Sequence, residues 1–195
     1  IPVFSDIDEK TFNLDPKKII KKISKKTKAI MAIDLFGQPC DMSEIRKICN
    51  DYNLKFICDS AQSIGAKYKN KYSSTADDVG GYSLNFHKHI NTGEGGIIIT
   101  NDSKIAKKCQ LIRNHAEVTV DSYKTSDLSN MIGYNFRLTE IQAAIGIEQL
   151  KKLKNIIKKK IFIARALTKG LDKLPGLETP FTKKDRSHVF YSYPM

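Results

Sequence analysis

This chain predicts an α/β fold with a mostly parallel sheet, and three observations carry that prediction. The first is an apolar run, Ala29-Ile30-Met31-Ala32-Ile33-Asp34-Leu35, continuous up to Asp34. Such a run does not alternate, which is the pattern of a strand buried on both faces. The second lies directly after that run: a helix-period segment over roughly 42–52, then a second apolar run, Leu54-Lys55-Phe56-Ile57-Cys58. A strand–helix–strand unit of this length implies a right-handed crossover and parallel pairing. The third is the balance of the 195 residues, 41% hydrophobic and 28% charged, which suffices for a real core.

The remaining elements come in order along the chain. Phe36-Gly37-Gln38-Pro39 breaks the first run, and Asp41 is placed to cap the helix that buries Ile45, Ile48 and Cys49. Asn53 closes that helix. Asp59 then falls at the carboxyl end of the second strand, where ligands of parallel sheets gather. Val79 to Phe86 reads as a strand, and Gly96 to Thr100 as another. The connection between them is too short for a crossover helix, so these two pair antiparallel. Ser103 is expected to cap a helix to about Asn114. The stretch from His115 to about Met131 is long enough to suspect a functional loop. Thr139 caps a long helix, whose Leu150, Leu153, Ile156 and Ile157 keep helical spacing against lysines. The expected division is a large domain over 1–145, then a connecting helix and the beginning of a smaller domain over 146–195. The end, His188 to Met195, reads as a strand cut midway. The start, Ile1-Pro2-Val3, shows neither a methionine nor a leader pattern, so an internal fragment of a longer protein is expected.

The net charge of +12 raises nucleic-acid binding, but the distribution opposes it. The excess is lysine on helical stretches such as Lys151, Lys152, Lys154, Lys158, Lys159 and Lys160. Arginine, the better residue for bidentate phosphate and base contacts, appears only at Arg46, Arg113, Arg137, Arg165 and Arg186. A solvated basic surface, able to attract an anionic substrate, is the expectation. No apolar run reaches the roughly 18 residues of a membrane span. Cys40, Cys49, Cys58 and Cys109 form no C-x-x-C pair. They suit a reduced, cytoplasmic setting without a metal, Cys58 being a small core residue.

Two segments carry chemistry. Phe56-Ile57-Cys58-Asp59-Ser60-Ala61-Gln62 and Ser83-Leu84-Asn85-Phe86-His87-Lys88 each join a strand end to polar groups. Together they offer an acid, a hydroxyl and an amine, the groups that pyridoxal phosphate needs. A lysine amine can bond to the cofactor aldehyde. A carboxylate beside the ring nitrogen keeps it protonated, because an opposite charge in a low-dielectric site favours the charged form. A hydroxyl can bind phosphate. Each residue also has an ordinary reading: Asp59 as a helix cap, Lys88 as one surface lysine among many, Ser83 as a buried or surface serine. The glycine-rich turn after Lys88 serves first to reverse the chain.

Four ordered motifs sharpen this reading: Asp59-Ser60-Ala61-Gln62, Ser83-x4-Lys88, Thr92-Gly93-Glu94-Gly95-Gly96 and Gly133-Tyr134-Asn135-Phe136-Arg137-Leu138-Thr139-Glu140-Ile141-Gln142-Ala143-Ala144. In these the chain resembles the DegT/DnrJ/EryC1/StrS family of pyridoxal-phosphate-dependent sugar aminotransferases. The resemblance runs from Pro2 to about Leu153. It implies the aspartate aminotransferase fold, with a three-layer α/β/α large domain. It also implies roles: Lys88 as the cofactor-bonding amine and proton shuttle, Asp59 as partner of the pyridine nitrogen, Ala61 against a ring face, Gln62 near the ring or its phenolic oxygen, and Ser83 on the phosphate. Asn135 and Arg137 would reach the neighbouring subunit's site in a homodimer, with the asparagine on the phosphate. A phosphate-binding turn and a stacking aromatic are expected before Ile1, and most of the small domain after Met195.

The implied activity is transfer of an amino group from an amino acid, glutamate above all, to a nucleotide-linked keto-sugar, as in cell-surface polysaccharide biosynthesis. Two alternatives stand beside it. A sugar dehydratase of the same fold is expected to carry histidine in place of Lys88. A noncatalytic basic module would bind no cofactor. His87 and His89, which flank the lysine, receive no role.

Overall fold

In the computed structural model of the chain, residues 1–75, 77–117 and 131–195 are described. The strands are β1 (Ala29–Ile33), β2 (Lys55–Asp59), the short ribbon β3 (Lys67–Tyr68) and β4 (Lys71–Tyr72), β5 (Val79–Ser83) and β6 (Gly96–Ile99). The helices are α1 (Pro16–Ile19), α2 (Met42–Asp51), α3 (Ser103–Arg113) and α4 (Glu140–Leu171). The main sheet runs β1-β2-β5-β6; β1, β2 and β5 are parallel, and β6 is antiparallel to β5. The mostly parallel α/β class and the antiparallel pair around the glycine turn are therefore as expected.

The register decides what faces where. Ile33 pairs with Asp59, Asp59 with Gly81, and Ser83 with Gly96. Paired residues project to the same side of a sheet, and so do residues two apart along a strand. One face therefore carries Met31, Ile33, Ile57, Asp59, Val79, Gly81 and Ser83. The opposite face carries Ile30, Ala32, Phe56 and Cys58, and it is the buried one. There Met42, Ile45, Ile48 and Cys49 of α2, with Ile19 of α1, complete the main core. A second, smaller cluster joins Ile64, Leu84 and Ile90 to Leu153 and Ile156 of α4.

Burial of β1 on both faces is not met. Met31 is 58% and Ile33 43% exposed, and the strand alternates between exposed and buried. The run is apolar on both sides, but the described residues cover only one of them. Three end assignments also change. Asp41 makes no capping hydrogen bond to α2, because its carboxylate is taken by Lys183 and Arg186. Asp102, not Ser103, caps α3, accepting from the N–H groups of Lys104 and Ile105. His188 to Tyr193 form no strand; Val189 and Tyr191 instead donate their N–H groups to the carbonyls of Gly37 and Phe36 at 2.9 and 2.8 Å. Thr139 does cap α4, with a reciprocal capping box to Gln142. Of the suspected loop over 115–131, residues 118–130 lie outside the described part. Among the described residues no helix is long and apolar enough to cross a membrane.

Candidate active site

On the open face of the sheet, Asp59, Ala61 and Ser83 line a cavity of about 340 Å³, floored by Ile57, Val79, Gly81 and Ile98. Asp59 ends β2, and its Oδ1 accepts the Ala61 N–H at 3.0 Å. The chain turns there without starting a helix, so Asp59 is not a helix cap. Ser83 ends β5, and its Oγ accepts the Asn85 N–H at 3.2 Å. An acid and a hydroxyl thus sit on adjacent strands of one face, with small residues between them.

The loop after β5 is closed by its own hydrogen bonds. Leu84 accepts from Thr92 N–H and donates to Gly95 carbonyl, and Asn85 Nδ2 donates to Glu94 Oε1 at 2.7 Å. Lys88 lies on this loop, half-buried, outside the lining of the cavity. Its ammonium stands 4.5 Å from the centre of the Tyr191 ring. Gln62 is also outside the lining, and its Oε1 accepts the Phe36 N–H at 2.7 Å. Phe36 holds a φ of 57°, unusual for an aromatic residue, and that hydrogen bond helps to hold it. Asn135 and Arg137 are exposed and do not line the cavity. They are fastened to the end of α3, where Arg137 donates to Asn114 Oδ1 at 2.8 Å and Asn135 bridges to Asn114.

The two histidines beside the lysine separate. His87 is exposed and packs on Phe86. His89 is 6% exposed and donates Nε2–H to the Val189 carbonyl at 2.9 Å; burial lowers its pKa. With Nε2 as donor, the neutral ring leaves Nδ1 as a buried acceptor without a partner among the described residues.

Beneath the cavity, on the covered side of the sheet, lies a polar cluster that sequence reading missed. Asp34, fully buried, accepts from Cys40 N–H at 2.8 Å and from the hydroxyls of Ser60 and Ser63 at 2.6 and 2.8 Å. Asp34, Cys40 and Cys58 bring their ligand atoms within 4.8 Å of one another. Burial raises the Cys58 thiol despite its hydrogen bond with Cys40, and Cys40 is pushed well up. Protonated thiols and a carboxylate occupied by four donors, the Cys58 thiol at 3.5 Å being the fourth, make this a satisfied structural network. Tyr191 was also missed, since nothing in local spacing links it to a lysine so distant in sequence.

A sequence model of the DegT/DnrJ/EryC1/StrS aminotransferase family matches residues 1–195. GDP-perosamine synthase of Escherichia coli O157:H7 is 37% identical over 194 residues, covering 100% of this chain and 51% of that protein. Among solved structures, Helicobacter pylori PseC, an aminotransferase involved in the biosynthesis of pseudoaminic acid, superposes with a TM-score of 0.90. It is 31% identical over 99% of this chain and 51% of its own. The E. coli GDP-4-keto-6-deoxy-D-mannose-3-dehydratase with bound hydrated PLP superposes with a TM-score of 0.84, at 31% identity over 97% of this chain and 52% of its own. The chain spans about half the length of the relatives it matches.

Proposed function

This chain belongs to the DegT/DnrJ/EryC1/StrS aminotransferase family, and from that premise we propose that the intact protein is a pyridoxal-phosphate-dependent aminotransferase acting on a nucleotide-linked keto-sugar. The observation that carries the reading is the shared cavity of Asp59, Ala61 and Ser83 on one sheet face. A flat ring with a cationic nitrogen at one end and a phosphate at the other fits such a place. Ala61 and Gly81 leave room beside the backbone, the Asp59 carboxylate can face a ring nitrogen, and the Ser83 hydroxyl can donate to a phosphate oxygen.

When bound, the cofactor supplies an electron sink for the carbon that loses its proton. The chain's own residues do the rest. Lys88 supplies the amine that holds the cofactor and then moves a proton at the donor's alpha carbon. Asp59 would set its carboxylate against the ring nitrogen. Ser83 anchors the phosphate end, with Asn135 and Arg137 of a second subunit contributing to the same or an adjoining anion. Gln62, whose Oε1 braces Phe36, would turn its amide nitrogen toward the ring's polar edge. Glutamate as donor, a role in cell-surface polysaccharide biosynthesis, a cytoplasmic location and a homodimer complete the proposal. Its domain division is a cofactor-binding domain over 1–145 and the start of a smaller domain over 146–195, with α4 running across the boundary. The lysine at position 88 disfavours the dehydratase reading, which expects histidine there.

The test is borohydride reduction of the purified protein with pyridoxal phosphate, and then peptide mapping. The label is expected on Lys88 and absent in Lys88→Ala. A label elsewhere, or none, removes the reading. Loss of water from the keto-sugar with no amino-sugar formed would favour the dehydratase instead.

A further inference from the structure

We propose that Tyr191 is the positioning residue for Lys88, its ring holding the lysine amine in place whenever that amine is not bonded to cofactor. The proposal rests on Lys88 being the cofactor-bonding amine. Its ammonium stands 4.5 Å from the Tyr191 ring centre, within the range of cation–π attraction. The ring's place is built rather than incidental, because the backbone around it is tied down at several points. Tyr191 N–H donates to the Phe36 carbonyl at 2.8 Å, and Val189 N–H to the Gly37 carbonyl at 2.9 Å. His89, next to Lys88 in sequence, donates to the Val189 carbonyl at 2.9 Å. Phe190 N–H donates to His188 Nδ1 at 3.0 Å, and Phe190 turns with a φ of 49°. Lys160 reaches the carbonyls of Phe190 and Tyr191, each at 3.4 Å.

The approach is close enough to forbid a side chain opposite it. A Cβ on Gly37, whose φ is +102°, would lie 3.0 Å from both Tyr191 N and the Val189 side chain. The same loop ties a second site residue to the first: Gln62 holds Phe36 by its N–H, and Phe36 holds Tyr191 by its carbonyl. Lys88 and Gln62 are thus coupled through Phe36 and Tyr191. A long, flexible lysine gains most from such a hold, since it otherwise samples many rotamers between reactions.

Reductive methylation of the cofactor-free intact protein with isotopically labelled formaldehyde places a reporter on each lysine amine. A methyl group held over an aromatic face resonates upfield, and Lys88→Arg identifies its signal by deleting it. The upfield signal is expected in the parent and in Tyr191→Phe, which keeps the ring, and is expected to vanish in Tyr191→Leu. Covalent capture of pyridoxal phosphate, monitored by visible absorbance, should slow about three- to tenfold in Tyr191→Leu and stay parental in Tyr191→Phe. An unshifted Lys88 signal in the folded parent overturns the proposal whatever Tyr191→Leu does to folding. Parental capture rates in a folded Tyr191→Leu overturn it as well, leaving the cofactor assignment intact. Absence of any capture at Lys88 in the parent removes the cofactor reading, and this proposal with it.

Discussion

Asp77 is 6% exposed, and among the described residues its carboxylate oxygens have no hydrogen-bond partner of normal geometry, the Cys58 thiol being only a weak neighbour. Burial pushes its pKa up to about 7, with the nearby Asp34 adding to the rise and Arg46 opposing it. The folded state therefore binds a proton that the unfolded chain has released, between about pH 4 and pH 7. Stability falls as pH climbs through that window and regains the loss as pH drops, with a ceiling of roughly 4 kcal/mol for a shift of this size. Asp77→Asn is accordingly expected to be more stable than the parent at about pH 8, with the gap closing toward about pH 4. Urea unfolding at both values checks it; a gap independent of pH would mean that the charge is not responsible. His188 bends the profile the other way. Burial lowers it to about 4, and its Nδ1 accepts a backbone N–H, so falling pH costs stability below its ordinary value. Neither group was legible in sequence, because both shifts arise from packing between distant segments. The strand-end positions of Asp59 and Ser83 were legible because strands of such a sheet are readable from their apolar residues.

The segment over 181–191 shows how one element is fastened to another by a few charges. Arg186 keeps only 3% of its side chain exposed, donates to Asp41 Oδ1 at 2.7 Å and to the Pro39 carbonyl at 2.8 Å, and lies over the Tyr68 ring. Lys183 reaches the other Asp41 oxygen at 2.7 Å. Removing one partner of a buried pair strands the other, at a cost of about 3–5 kcal/mol. Because Lys183 still pairs with Asp41, Arg186→Ala is expected to lose less than that, roughly 1.5–3 kcal/mol for its own charged hydrogen bonds. Arg186→Lys is expected to lose most of the same amount, since an ammonium cannot reproduce the planar fork. Thermal melts of the two variants decide this; a change within experimental error would make the contact a surface pair. The same interaction explains a misread element. Asp41 has the chemistry of a helix cap, and local pattern assigns it to α2, but a distant arginine and lysine take its carboxylate. Asp102 outcompetes its neighbour Ser103 for a similar reason of geometry, its Oδ1 reaching two N–H groups of α3. The Thr139 cap was legible because both halves of its capping box are three residues apart.

At the scale of the whole molecule, the chain leaves its expected anion-binding residues away from the cavity they should serve. Asn135 and Arg137 are exposed at the end of α3, among Ile132, Tyr134, Phe136 and Ile141, which are 77%, 52%, 66% and 74% exposed. Tyr134 and Phe136 stack on each other at 5.0 Å, forming an apolar platform around two polar groups. Such a patch on an otherwise lysine-rich surface has the character of a contact surface, and the proposed dimer would use it. A twofold dimer repeats any such contact twice and could carry each Asn135 to the partner's cavity. A phosphate gains from each charge-assisted donor around it, so the borrowed residues should matter to cofactor retention. The experiment is to mix Lys88→Ala subunits with subunits carrying both Asn135→Ala and Arg137→Ala, each pure form being inactive. Mixed dimers pair one intact lysine with one intact loop, so activity approaching half that of the parent per mixed dimer is expected. Mixed dimers that form without recovering activity would show that the sites are not shared, and a protein active as a monomer would rule out the arrangement altogether.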